Sequence, residues 1–307
     1  MQNSLDILLP TYNRAGYLRE CLQSVFSAAA PASMEWRVTV LDNNSSDDTR
    51  AVAEEFIAQH GERRIRYLFE KKQGKSHALN TGLRETDRTI IGLIDDDEHI
   101  DGQWLQVIEK WFANGAVDYI GGPCLGLWRA ERPDWIPPHF EGVISADNPE
   151  EIPREPIPFG DPRVFFRGGN AVLRKAVFDR IGNYDSKLGR FAEGLGSCED
   201  HDIYNRLMAG KFKGMYVPEL VIYHVVPPER LTRKYYRRWA YDHAAALARL
   251  ERRSRQNVAH VGRVPRYMIG DAVNSLRALA GGSPAERFSA ELQWWTLAGY
   301  AVGAYRD

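Results

Sequence analysis

Four carboxyl groups stand in a row at Asp95-Asp96-Asp97-Glu98. Adjacent carboxylates repel one another, and a solvated acidic loop is the simplest setting for them. This run, however, directly follows the apolar stretch Ile90-Ile91-Gly92-Leu93-Ile94, so its charge sits at the rim of a buried strand. A divalent cation would relieve the repulsion. Carboxylate oxygens suit Mg²⁺ or Mn²⁺, which bind through one or two carboxylates together with phosphate oxygens. A second acidic group, Glu199-Asp200-His201-Asp202, follows the glycine-rich run Gly189–Gly196. A carboxylate leading into a helix can act as a general base, or it can cap the helix and favour its positive end. His224 closes the apolar run Leu220–Tyr223 and is either a structural histidine or a metal ligand. Gly74-Lys75-Ser76 invites a phosphate-loop reading, but the position five before Gly74 holds Phe69 where that motif needs glycine. Lys75 then remains a point charge for phosphate or a solvated lysine at a helix start.

These residues need a scaffold that gathers them. Short apolar runs at Leu5–Leu9, Trp36–Leu41, Ile65–Phe69 and Thr89–Ile94 read as strands. Amphipathic stretches at Gly16–Ala29, Asp47–Gln59 and Lys75–Arg84 read as helices between them. That alternation predicts an α/β fold with a mostly parallel sheet flanked by helices. Polar clusters follow three of the strands: Thr11, Asn13 and Arg14, then Asp42, Asn43 and Asn44, then the acidic run. Ligands of open α/β sheets bind outside the carboxyl ends of the strands, so the three clusters are expected on one edge. Residues 123–167 break the rhythm with a proline-rich excursion carrying Trp128 and Trp135, of the kind that overlies a site. Regular structure is expected again at Val164–Phe166, Ala171–Leu173, a helix after Arg174, a helix at Ile203–Met208, and strands at Met215–Val217 and Leu220–Tyr223. From Glu229 the pattern is helical, with breaks near Gly262–Pro265 and Gly281–Pro284.

The net charge of −1 gives no sign of a nucleic-acid partner, but it is unevenly spread. Glu229 to Tyr267 holds eleven Lys/Arg against three Asp/Glu, and Arg230, Arg233, Lys234, Arg237 and Arg238 crowd together with Tyr235, Tyr236, Trp239 and Tyr241. Cations mixed with interfacial aromatics suit an anionic membrane surface. The aromatics spread around the helix, which equally suits packing inside the protein. Cys21, Cys124 and Cys198 form neither a disulfide framework nor a zinc spacing, and a reducing cytosol is the expected setting. The N-terminal residues lack the pattern of a secretory signal. No stretch reaches the roughly 20 apolar residues of a membrane span.

Taken in series, Leu9-Pro10-Thr11-Tyr12-Asn13-Arg14, Leu41-Asp42-Asn43-Asn44-Ser45-Ser46-Asp47-Asp48-Thr49, Gly74-Lys75-Ser76-His77-Ala78-Leu79-Asn80-Thr81-Gly82 and Ile94-Asp95-Asp96-Asp97 resemble the family 2 glycosyltransferases with a GT-A fold. Gly168-Gly169-Asn170, Glu199-Asp200 and His224 continue the pattern. The resemblance reaches from about residue 4 to 225, and the helical tail matches it loosely. It implies a GT-A catalytic domain over residues 1–228, with a nucleotide-sugar half over 1–122 and an acceptor half over 123–228. Residues 229–307 would be a C-terminal helical extension.

The resemblance also implies roles. Thr11, Asn13, Arg14, Asn44 and Lys75 would line the donor pocket, and Asp42 would accept from the base, usually uracil. Asp95 and Asp97 match the outer positions of the family's D-x-D motif, Asp95 would face the ribose and the metal shell, and Asp96 would be an extra carboxylate of the donor site between them. Asp97 would hold Mn²⁺ or Mg²⁺ against the diphosphate, joined by His224. Asp200 would be the base of an inverting displacement. Gly169, Asn170, Glu199 and Trp128 are acceptor-side candidates, although the aromatic segment around Trp128 equally suits loop packing. The expected partners are a nucleoside-diphosphate-sugar, such as a UDP-sugar, and a hydroxyl acceptor. The expected location is cytoplasmic, with peripheral membrane contact through 230–238 as the added option. Two rivals share the scaffold. A sugar-phosphate nucleotidyltransferase would carry a Gly-rich loop where this chain has Pro-Thr-Tyr-Asn-Arg, and a non-catalytic sugar-binding protein would lack the carboxylates that are present.

Overall fold

A computed structural model of the chain describes residues 3–136, 143–189, 198–251 and 258–306. Within it lie two compact units. The first comprises residues 1–125, 147–187 and 199–225, and the second 126–146, 188–198 and 226–307.

The first unit is built on a sheet. Strands β1 (Ser4–Thr11), β2 (Glu35–Asp42), β3 (Ile65–Phe69) and β4 (Ile90–Leu93) alternate with helices α1 (Ala15–Ser27), α2 (Thr49–His60) and α3 (Lys75–Glu85). These follow the predicted elements closely, because each is a periodic apolar run bounded by polar turns. After them come β5 (Glu98–Ile100), α4 (Trp104–Phe112), β6 (Tyr119–Gly121), β7 (Cys124–Trp128), β8 (Ile157–Pro158), β9 (Ala171–Arg174), α5 (Lys175–Ile181), α6 (Glu199–Ala209), β10 (Gly214–Tyr216) and β11 (Ile222–Val226). The main sheet has the order β3-β2-β1-β4-β9-β6-β10-β8, and a smaller one has the order β5-β11-β7. In the main sheet β1, β2, β3 and β4 are mutually parallel and β6 is parallel to β10. β9 runs against both β4 and β6, and β8 against β10, so six of the eight strands point one way.

The strand period of two explains the layers. Leu5, Ile7 and Leu9 face one core with Val38, Val40, Leu18, Leu22, Phe56 and Trp104. Leu8 faces the other, with Leu41, Leu79, Leu83, Ile91, Ile203 and Leu207. Asp6 also points to that second side and is fully buried. Its carboxylate accepts from Arg37, Thr39 and Thr86, which is how a buried charge is tolerated.

The structure corrects two expectations here. Val164–Phe166 forms no strand. Val164 is buried, Phe165 is exposed, and the Phe166 ring stacks on Tyr204 at 5.5 Å, so the run is a loop held by ring packing. The strand expected at Leu220–Tyr223 begins only at Ile222, since Leu220 turns back to donate its N–H to Val217.

In the second unit, α7 (Arg233–Glu251) and α9 (Pro284–Tyr305) are long helices, with β12 (His260–Val261), β13 (Val264–Pro265) and α8 (Arg266–Gly281) between them in the chain. The predicted breaks near Gly262 and Gly281 are the β12–β13 turn and the α8–α9 turn. Ser283 opens α9 with a capping box to Glu286. Trp128, Trp135, Ile136, Tyr236, Phe288 and Leu292 form one apolar cluster. No described helix is long and apolar enough to cross a membrane.

Candidate active site

The three strand-end clusters meet at the carboxyl edge of β1, β2 and β4. Thr11 ends β1, and its hydroxyl donates to Asp96 Oδ2 at 2.8 Å. Asn13 takes the left-handed conformation (φ 52°), which Asn tolerates better than most residues. Its backbone N–H donates to Ser45 Oγ and its side chain accepts from the Ser46 N–H, so the β1 and β2 loops are laced together. Arg14 then points Nη1 between two carboxylates, 3.0 Å from Asp96 Oδ1 and 3.0 Å from Asp97 Oδ2. Burial pushes the Asp96 carboxyl up, Arg14 pulls it back and Asp97 pushes it again, leaving it at about 6.

Asp42 ends β2 almost fully buried. It accepts from the Ser45 N–H at 2.8 Å and from the Tyr67 hydroxyl at 2.6 Å. Asn44 is exposed with φ 68°. Its neighbour Asn43 is the buried one, and it accepts from the Gly74 N–H and donates to Lys72 O, fixing the loop before α3.

That loop delivers Lys75. Its ammonium lies 2.6 Å from Asp95 Oδ1 and 3.6 Å from Glu199 Oε1. Burial alone would depress the lysine, but Asp95, Glu199 and Asp200 outweigh it and hold it charged. A narrow crevice beside it is lined by Pro10, Lys75, Asp95, Gly168, Tyr184 and Asp200. Burial, followed by Glu199, lifts the Asp200 carboxyl to about 7, against the opposing pull of Lys75. A carboxyl tuned to that range can take a proton from a hydroxyl near neutral pH. Asp200 lies in the first turn of α6, where its negative charge also favours the helix's positive end.

Gly168 and Gly169 have no room for side chains. A methyl at Gly168 would lie 1.9 Å from Asp200 Oδ1, and one at Gly169 would lie 2.2 Å from Glu98 Oε1. Glu98 in turn accepts the Asp95 N–H at 2.7 Å and braces the acidic loop from below. His224 reaches the same loop, with Nε2 3.6 Å from Asp97 Oδ2, and the neighbouring Val225 N–H donates to Asp97 O.

Thr11, Arg14, Lys75, Asp95, Asp96, Asp97, Glu199 and His224 are therefore joined through direct contacts or as chain neighbours, as is Gly169 through Glu98, and Asp200 lines the crevice beside Lys75 and Asp95. Asn170 is not brought to the crevice. It is fully buried, its amide donates to Pro123 O and Leu220 O, and its oxygen accepts from Trp104 Nε1, so it ties strands together. Trp128 packs in the apolar cluster of the second unit. Only Gly189 of the glycine-rich run before Glu199 lies among the described residues. Two contributors escaped sequence reasoning. Glu98 was visible in the acidic run, but its bracing role needs the chain to fold back. Tyr184 carries no signal of its own. Asn80, inside a recognised motif, holds its backbone by accepting the Tyr184 N–H and donating to Tyr184 O, both at 2.9 Å.

Among the described residues no three His, Cys, Asp or Glu side chains form a ready metal cage. Such a cage is not required of Mg²⁺ or Mn²⁺, which take one or two carboxylates and draw other oxygens from phosphate and water. Asp97, with Asp95 and Asp96 beside it and an imidazole near, fits that chemistry.

The chain is similar in sequence and fold to known glycosyltransferases. The chain is 30% identical over 118 residues to Glycosyltransferase AglE of Haloferax volcanii, a match covering 38% of each chain. It is 29% identical over 124 residues to a GalNAc(5)-diNAcBac-PP-undecaprenol beta-1,3-glucosyltransferase of Campylobacter jejuni, covering 39% of this chain and 38% of that one. The chain therefore matches less than half the length of either relative. Against the solved mannosyltransferase PcManGT of Pyrobaculum calidifontis, in complex with GDP-Man and Mn²⁺, the TM-score is 0.65 at 19% identity, over 99% of this chain and 88% of that one. This likeness establishes a GT-A fold. Residues 6–182, more than half of the sequence, match the profile of one family, and the chain belongs to glycosyl transferase family 2.

Proposed function

We propose that the protein transfers a sugar from a nucleoside-diphosphate-sugar to an acceptor hydroxyl with inversion at the anomeric carbon. The observation that carries this reading is the joined crevice, in which Lys75 links the strand-end carboxylate Asp95 to the pair Glu199–Asp200. Thr11 to Arg14, Asp42 and Asn44 supply the nucleotide side, with a UDP-sugar as the expected donor, and residues 1–122 form the donor half. Asp97 and His224 would hold Mn²⁺ or Mg²⁺, with Asp95 and Asp96 adjoining. When bound, a divalent cation supplies positive charge to the departing diphosphate. Asp200 accepts the proton of the attacking hydroxyl, and Lys75 keeps that carboxyl ionisable despite its burial. Gly168 leaves the space in which Asp200 sits. Family membership favours glycosyl over nucleotidyl transfer.

Lipid-linked acceptors are one class the reading embraces, because the Campylobacter relative is named for a diphospho-undecaprenol substrate. A face for the membrane is better sought on α8 and α9 than at 230–238. In that segment Tyr236 is buried, Arg237 pairs with Glu291, and Arg233 lies over the Phe288 ring. Among the described residues, Tyr267, Val273, Leu276, Leu279, Trp294 and Trp295 are exposed on α8 and α9.

Calorimetry with UDP and GDP, with and without Mn²⁺, tests the donor side. Binding of one nucleotide that requires Mn²⁺ is expected. No binding of either would sink the proposal. Sedimentation with anionic vesicles at low salt tests the membrane face, and a Trp294→Ala/Trp295→Ala variant that pellets like the parent chain would remove it.

A further inference from the structure

Two cations stand among the carboxylates of the strand-end acidic run, and they are held differently. Lys75 is enclosed, its side chain 17% exposed and in contact with Asp95 and Glu199. The Arg14 side chain is 35% exposed, and its carboxylate contacts run through a single nitrogen, Nη1, at equal 3.0 Å distances from Asp96 and Asp97. Guanidinium groups commonly grip one carboxylate with two nitrogens. Here one nitrogen lies between two carboxylates, as a bridging cation would. The backbone beneath is fixed, with the Asn13 N–H on Ser45, Asn13 Oδ1 accepting from Ser46, and the Ala15 N–H on Asp47 Oδ2. Only the side chain is left to move, and its guanidinium carbon already lies over the Tyr17 ring, 5.6 Å from the centroid.

We propose that Arg14 is an exchangeable counter-cation of the Asp96–Asp97 pair. It competes with a divalent ion for these carboxylates and passes to the donor's diphosphate when metal and nucleotide arrive together. This rests on the metal reading of the site. Both carboxylates are buried, at 4% and 5% exposure, and a buried pair needs compensating charge. A guanidinium and a dication cannot share one position, because like charges repel. The displaced guanidinium is well matched to phosphate oxygens, which it can bind with two nitrogens. The exchange makes metal and nucleotide bind with positive coupling, and that coupling is reciprocal. It gives the protein alone a weak grip on the metal and reserves tight binding for the metal with its nucleotide.

The test is Mn²⁺ binding by calorimetry at about pH 8, where an ordinary carboxylate is fully ionised. Wild type, Arg14→Met and Arg14→Lys are titrated without nucleotide and at saturating UDP or GDP. Arg14→Met should bind Mn²⁺ alone about tenfold tighter than wild type, and lose about tenfold in nucleotide affinity at saturating Mn²⁺, each factor corresponding to about 1.4 kcal/mol. Arg14→Lys, which keeps the charge, should stay nearer wild type in both. An Arg14→Met protein whose Mn²⁺ affinity without nucleotide is equal to or weaker than wild type overturns the inference, as does an Arg14→Lys protein that behaves like Arg14→Met. If wild type and Arg14→Met both fail to bind Mn²⁺ even with nucleotide present, the metal reading itself falls, and this inference with it.

Discussion

Replacing Gly168 by alanine should separate catalysis from stability. The added methyl would lie 1.9 Å from Asp200 Oδ1 and 2.1 Å from its Cγ. Ordinary van der Waals contact begins near 3.4 Å, so the carboxylate must retreat by about 1.5 Å, and a misplacement of roughly 1 Å can cost on the order of 100-fold in rate. What has to move is the end of one short side chain, not backbone. The expense in stability is then an off-rotamer Asp200, about 0.5–1.5 kcal/mol. It is offset by the roughly 0.4–1 kcal/mol that alanine gains by restricting the unfolded chain. Once a donor and acceptor are in hand, steady-state kinetics, a melting curve and nucleotide calorimetry on one preparation read all three quantities. The expectation is a kcat down by about two orders of magnitude, a nearly unchanged Tm and retained Mn²⁺-dependent nucleotide binding. A kcat within threefold of wild type at unchanged Tm would show that the position of Asp200 does not matter, and the reasoning would fail.

Further outcomes follow from the same contacts. Asp200, lifted to about 7, works as a base only when ionised, so kcat should fall as pH drops through that value; a rate that stays flat down to pH 5 would exclude it as the base. Lys75→Met leaves Asp95 and Glu199 without their cation, and should lower stability by about 3–5 kcal/mol in denaturant titration. In any folded fraction the acid limb of the rate profile should move to higher pH, since losing a positive neighbour raises the Asp200 carboxyl. Asp97→Ala should abolish divalent-dependent nucleotide binding while leaving the melting curve intact, as calorimetry and scanning fluorimetry will show. Asn170→Ala loses three buried hydrogen bonds and should reduce Tm without changing acceptor KM; a selective rise in KM would return Asn170 to the acceptor site.

The N-terminal half of the fold was legible because its signals are local. The strands from Leu5 to Leu9 and from Trp36 to Leu41 announce themselves as apolar runs, and the polar residues after them could end up only at the sheet's carboxyl edge. Past residue 122 the elements are short and pair across long separations. β9 inserts antiparallel between β4 and β6, and nothing in Ala-Val-Leu-Arg encodes its partners or direction. Asn170 illustrates the limit within the site. Its type and neighbours match a binding motif, yet tertiary packing turns its amide inward onto Pro123 and Leu220. Lys75 shows the reverse, since its sequence left phosphate and solvent open, and only the folded chain sets it between Asp95 and Glu199.

Metal-dependent cleavage of a sugar nucleotide can be measured without an acceptor. Wild type, Asp97→Ala and Asp200→Asn are incubated with a panel of UDP- and GDP-sugars and Mn²⁺, and released nucleoside diphosphate is measured. Expected are slow hydrolysis of at least one donor by wild type, loss of that hydrolysis on chelation and in Asp97→Ala, and a rate in Asp200→Asn lower by about 10²–10⁴-fold. Release that persists undiminished in both variants, or no release from any donor, would contradict it.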